Sequence, residues 1–194
     1  KGLLRTREPW LQVARGLLLL IVSVLGYYGL TLMPVAEFTA IVMLTPLMVT
    51  LLAALFLKEQ VSLLRWLLVA GGFAGALLIV RPWEGDGGGL GWVNLLPLVL
   101  VLAYAVFQIL TSRLARTEDA LTMHLYTGWV GTLGMSAVLP LIWQVIPDGQ
   151  TLALLCLIGL MGTVGHFLLI LAFQRTPAST LTPYLYGQRG FAMF

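Results

Sequence analysis

Long uncharged runs alternate with short polar breaks along the whole chain. Residues 1–15 are polar and basic, with Lys1, Arg5, Arg7 and Arg15 against Glu8. The first run, Gly16–Ala36, is long enough as a helix to cross a hydrocarbon core of about 30 Å. Pro34 interrupts it, and Glu37 marks a very short connection. Phe38–Leu57 follows without a charge and ends at Lys58–Glu59–Gln60. The third run is Val61–Val80, with Arg65 near its start, where a long side chain snorkels to the interface.

The stretch RPWEGDGGG at Arg81–Gly89 is the clearest break, since proline and several glycines hold no helix. It separates two halves, residues 1–82 and 90–194, with 83–89 as linker. The fourth run is Leu90–Ser112, and the polar turn Arg113–Asp119 closes it. Ala120–Pro147 is a tilted span with an interfacial tail after Pro140. Asp148–Gln150 breaks the chain before the sixth run, Thr151–Phe173, and Gln174–Pro177 is another short connection. A seventh segment starts near Ala178, carries Arg189 and stops at Phe194, which reads as an unfinished span of a larger protein.

Composition agrees with lipid as the solvent. Hydrophobic residues make up 59% of 194 and charged residues 10%, against about 25% charged in soluble domains. The formal net charge of +3 does not point to nucleic acid. No basic stripe with interleaved aromatics occurs, and the cations sit at the ends of apolar runs. The single Cys156 lies in an apolar run and forms no intrachain disulfide. The first run is a retained span rather than a cleaved leader, because another apolar run follows at once.

The cations also give an orientation. Nine lie before the first span or in alternate connections: Lys1, Arg5, Arg7, Arg15, Lys58, Arg65, Arg113, Arg116 and Arg175. The opposite loops hold only Arg81. The positive-inside tendency places the N-terminal end and the turns at 58–65, 113–119 and 174–177 in the cytoplasm. The fold class expected is an all-α polytopic membrane protein.

Polar groups inside the runs must find partners or line water. Asn94, Val101, Tyr104 and Gln108 share one face of the fourth span, either lining a substrate path or bonding between helices. Thr39, Met43, Pro46 and Thr50 share a face of the second. Pro46 bends that helix and frees carbonyls, for a ligand or merely for packing. Tyr27 and Tyr28 lean into a cavity or belong to an aromatic belt. His166, deep in the sixth span, carries a proton or sits neutral and hydrogen-bonded. It and His124 form no metal motif. Gly71 and Gly75 make a GxxxG face for close packing, inside one subunit or between two copies in a homodimer. Glu59 caps a helix end or forms a gate salt bridge at the cytoplasmic surface.

Residues 34–59, PVAEFTAIVMLTPLMVTLLAALFLKE, carry a short turn, small residues with Thr, a mid-helix Pro and a closing Glu. This pattern resembles the EamA-type transporters of the drug/metabolite superfamily. The resemblance implies an inverted-repeat bundle of ten helices in two repeats of five. The segments here would be the third to ninth helices, about seven of the ten, with the second repeat opening at Leu90. The stretch FQRTPASTLTPYLYGQ at 173–188 resembles 30–45, with Pro34 matching Pro177 and Thr39 matching Thr182, an offset of 143. At that offset Pro46 falls on Arg189, a departure from the family pattern. The charge count gives the first and sixth spans opposite directions, as an inverted repeat requires.

The resemblance implies secondary transport of a small organic metabolite or drug-like solute across the bacterial inner membrane. The mode expected is alternating access, as efflux or exchange. Candidate lining or gating residues are Tyr27, Thr39, Pro46, Asn94, Tyr104, Gln108 and His166, then Tyr184 and Gln188, with Glu59 at the cytoplasmic gate or cap. Proton coupling rests on His166. No cofactor, metal or catalytic residue is expected, and the chain is not read as an enzyme because no catalytic groups converge. The alternative is a non-transporting accessory or assembly subunit, or an inactive fragment.

Overall fold

A computed structural model describes residues 6–80, 93, 95–143, 148–184 and 186. All regular structure among them is helical. Helix α1, Pro9–Leu32, starts seven residues before the uncharged run, with Pro9 in its first turn. Proline is suited to that place because its fixed φ is helical and its missing N–H is not needed there. Met33 then turns extended and Pro34 opens α2, Val35–Val42. The residue before a proline is driven out of the helical region, so the turn is written in the sequence.

The second span is broken. Helix α2 stops at Val42, and α3, Thr45–Phe56, restarts with Pro46 in its first turn. Pro46 cannot donate to the Val42 carbonyl, and Thr45 Oγ1 donates to it instead at 2.7 Å. The Met43 carbonyl accepts from Tyr186 Oη at 3.2 Å. The carbonyls exposed by the break are thus covered from inside the protein, as a bend in lipid requires.

After α3, Lys58 takes a left-handed backbone (φ 53°). Then come α4 (Leu63–Val80), α5 (Leu95–Ala115), α6 (Ala120–Ile142), α7 (Gly149–Arg175) and the short α8 (Ala178–Leu181). Asp119 caps α6 by accepting from the Leu121 and Thr122 N–H groups. Asp148 caps α7 by accepting from the Thr151 N–H at 2.6 Å. That backbone hydrogen bond holds the Asp148 carboxyl below its ordinary range. Four segments among the described residues are long and apolar enough to span a membrane: Pro9–Leu32, Val35–Phe56, Leu95–Ala115 and Gly149–Arg175. Helix α7 leaves most of its apolar surface uncovered, from Leu152 to Leu168, as suits a lipid-facing helix.

Side-chain contacts fix the directions. Arg15 meets Met123 and Thr127, and Gly16 abuts Val130, so α1 runs parallel to α6. Arg15 meets Thr111 while Gly26 approaches Leu100, so α1 runs antiparallel to α5. His124 touches His166, and Gln174 donates to the Glu118 carbonyl, so α7 opposes α6. Helices α1 and α7 therefore point in opposite directions.

These two opposed helices end alike. Met33 (φ −143°, ψ 157°) and Pro34 (φ −57°, ψ 137°) follow α1. Thr176 (φ −141°, ψ 138°) and Pro177 (φ −57°, ψ 149°) follow α7. Each turn's first N–H returns to the carbonyl four residues back, Gly29 and Ala172 respectively.

One end of the bundle gathers four of the basic breaks. The Arg7 N–H donates to Glu118, and Gln174 donates to the Glu118 carbonyl. Arg116 pairs with Glu59, and Arg65 donates to Ser179. The N-terminal segment and the turns at 58–65, 113–119 and 174–177 thus share one side.

The GxxxG expectation is corrected within this chain. β-Carbons at Gly71 or Gly75 would meet nothing within 4 Å, whereas one at Gly72 would lie 2.5 Å from the Tyr186 ring. Among the described residues the close approach in α4 is at Gly72, and none reaches the face carrying Gly71 and Gly75.

Candidate functional site

Beneath the basic end, a polar cluster is enclosed by α1, α5, α6 and α7. Helix α1 contributes Gln12 and Arg15, three residues apart and so on one face. Both are fully buried. Helix α5 contributes Tyr104, Gln108, Thr111 and Ser112, again on one face. Helix α6 brings His124 and Thr127, and α7 brings His166.

Arg15 is the centre of this group. Its guanidinium donates to Gln12 Oε1 (3.3 Å), Thr127 Oγ1 (2.6 Å), the Met123 carbonyl and, at 3.5 Å, Thr111 Oγ1. It also lies 5.7 Å from the centre of the Phe107 ring, within cation–π range. Every acceptor is neutral. Among the described residues, no carboxylate lies within ion-pair distance of Arg15. A cation held without a counter-ion in lipid is costly and usually functional.

Aromatic rings continue from the guanidinium. Tyr104 stacks on Phe107 (centroids 5.8 Å, planes 9° apart), and Phe107 faces His166 at 5.6 Å. His124 follows at 5.5 Å from His166. Several buried polar atoms on these helices have no hydrogen-bond partner among the described residues: Gln12 Nε2, Arg15 Nε, Gln108 Nε2, Ser112 Oγ, His124 Nδ1 and His166 Nε2. Buried polar groups are normally satisfied, and each exception calls for an explanation.

The structure brings Tyr104 and His166 to the Phe107 ring and buries Gln108 one turn along α5 from Tyr104. Pro46 and Thr39 belong instead to the broken second span. There Thr50 Oγ1 lies 2.9 Å from Thr182 Oγ1, joining α3 to the segment after α8. Tyr27 is 67% exposed on α1 and pairs edge-on with Tyr28, outside the cluster. Tyr184 is 76% exposed. Asn94 and Gln188 lie outside the described residues.

Gln12 and Arg15 are missing from the sequence candidates. Arg15 had been counted as a flanking cation. Pro9 was the available signal: a helix opening there puts Arg15 about two turns inside it.

Glu59 closes a second polar site at the basic end. Its carboxylate accepts from the Ala178 and Ser179 N–H groups at 3.3 and 3.1 Å, and from Arg116 at 3.0 Å. It ties α3 to the start of α8 and to the α5–α6 turn. Glu59→Ala is expected to speed hydrogen exchange at Ala178 and Ser179 by about tenfold, since local opening governs exchange. Unchanged exchange would remove the latch assignment. Among the described residues no cluster could hold a metal ion.

The EamA-like transporter family matches residues 2–81. The chain is similar to a riboflavin transporter of Rhizobium johnstonii, 32% identical over 186 residues, covering 93% of this chain and 59% of that protein. It is similar to an S-adenosylmethionine uptake transporter of Rickettsia felis, 30% identical over 187 residues, covering 96% and 62%. A riboflavin transporter of Vibrio cholerae is 29% identical over 153 residues, covering 78% of this chain and 50% of that protein. The chain thus spans half to about three-fifths of these relatives' length. No solved structure matches it. The family and its named relatives are transporters, not enzymes.

Proposed function

We propose that this chain is a member of the EamA-like transporter family, whose model matches residues 2–81, and that the protein carries a small organic metabolite across the bacterial inner membrane by alternating access. One observation carries the reading: the buried polar and aromatic cluster around Arg15, with donors left unpaired, where α1, α5, α6 and α7 meet. Polar groups at such depth mark a solute path more often than a packing device. Opposed helices ending in matching turns suit two inverted repeats that rock about such a site.

The relatives' names narrow the solute. Riboflavin and S-adenosylmethionine both join a fused nitrogen heterocycle to a polyol or ribose. The stacked Tyr104–Phe107–His166 rings suit a planar ring of that kind. That the Rickettsia felis relative is an uptake transporter favours uptake or exchange over efflux. The cations gathered at the basic end support reading it as the cytoplasmic side.

The test is uptake and counterflow of labelled riboflavin and S-adenosylmethionine in vesicles carrying the full-length gene product. Saturable movement of either supports the reading, and movement of neither, nor of a wider metabolite panel, returns the protein to an accessory role. We assign proton coupling to His166, which faces His124 and belongs to the same cluster as Arg15. His166→Ala is expected to keep counterflow but lose the stimulation of net uptake by a proton gradient. Retained stimulation would exclude that role.

A further inference from the structure

The cluster around Arg15 holds a surplus of donors. Among the described residues, the guanidinium Nε and the Gln12 amide nitrogen are buried N–H groups with no acceptor, and on α5, whose Thr111 meets Arg15, the Gln108 amide nitrogen and the Ser112 hydroxyl are likewise buried without a partner. The net charge of the group is positive, and no carboxylate answers it among the described residues. What would complete such a set is an acceptor carrying negative charge.

The present acceptors are also easily given up. Thr111 Oγ1 donates to the Phe107 carbonyl at 2.7 Å, and Thr127 Oγ1 donates to the Met123 carbonyl at 3.0 Å. Both hydroxyls keep those bonds if the guanidinium turns away. An arriving anion would therefore replace neutral acceptors without orphaning the threonines. It would also neutralise a charge that the low dielectric makes costly.

We infer that Arg15, with Gln12, Gln108 and Ser112, forms an anion subsite that takes a carboxylate or phosphate of the transported solute. The rest of the solute, a planar ring, lies along Tyr104, Phe107 and His166. This assignment rests on the carrier reading above and names the chemistry of the same site. Arg15 is the specificity-determining residue and Gln108 a second donor to the same group.

The experiment measures binding to the full-length protein in nanodiscs with two probe pairs. One pair is S-adenosylmethionine and its decarboxylated form, and the other is riboflavin 5′-phosphate and riboflavin. In at least one pair the member that carries the carboxylate or phosphate is expected to bind about tenfold tighter, a difference of about 1.4 kcal/mol. Arg15→Gln should bring that pair to near equality, and Arg15→Lys should keep most of the preference. Equal binding of both members by the wild type overturns the subsite but leaves the carrier intact. A preference that survives in Arg15→Gln overturns the role of Arg15. If no probe binds, the carrier reading for these ring systems falls, and the subsite falls with it. Thermal unfolding of each variant separates these results from a folding failure.

Discussion

Arg15→Met is expected to abolish transport while leaving the melting temperature no lower than that of the wild type. Most buried charges are destabilising to remove, because a partner of opposite charge is left behind. Arg15 has no such partner among the described residues. The Thr111 and Thr127 hydroxyls still donate to helix carbonyls and the Met123 carbonyl still accepts from Thr127, so among these acceptors Gln12 Oε1 is the one left without a described partner. Methionine keeps much of the apolar stem and removes a desolvated cation. A variant that is folded and inactive would show that Arg15 serves the solute rather than the fold. Circular dichroism melts in detergent and vesicle uptake read the two halves of this prediction. A fall of more than about 5 °C, on the order of 1–2 kcal/mol for a chain of this size, would make Arg15 a structural tie.

The second large effect is expected one residue on. A β-carbon at Gly16 would lie 2.7 Å from Val130 Cβ and 2.9 Å from its Cγ1. The obstruction is the branched root of a valine rather than a flexible tip, so α1 and α6 must separate. Gly16→Ala should cost about 1–3 kcal/mol, as overpacking does. It should also lengthen the 2.6 Å bond from Arg15 to Thr127 and reduce transport about tenfold or more, because small displacements of binding groups are amplified in function. Adding Val130→Ala should restore much of both properties by making room on α6. Wild-type stability and transport in Gly16→Ala alone would mean the helices are not so close.

The broken second span illustrates what was readable. Pro46 in an uncharged run forces a missing donor, and the break at Met43–Leu44 follows from that one residue. How its carbonyls are covered was not readable. Tyr186 is 143 positions away from Met43, and no local pattern pairs them. The glycines of α4 teach the same distinction. GxxxG correctly marked a helix with small residues, yet Gly72, outside that spacing, is the one a neighbour approaches. Which face of a helix is covered depends on where the other helices lie.

Glu59 was legible as a residue at a helix end near cations, but its service to the Ala178 and Ser179 N–H groups depends on the opposed course of α7. Arg15 was misplaced for a related reason. Counted along the chain, it flanks an apolar run, and snorkelling would have been ordinary there. It turns inward because α5 and α6 present Thr111, Met123 and Thr127 to it.

The sequence by itself determined the apolar segments, the shared side of four basic breaks, the bend at Pro46 and the repeated Pro34 and Pro177 turns. Each follows from local energetics: charge is expelled from hydrocarbon, and proline removes a donor wherever it stands. Only the tertiary structure decided that Gln12, Arg15, Phe107, His124 and His166 converge. That convergence is set by contacts between residues far apart in the chain, where burying one cation depends on four helices closing around it at once.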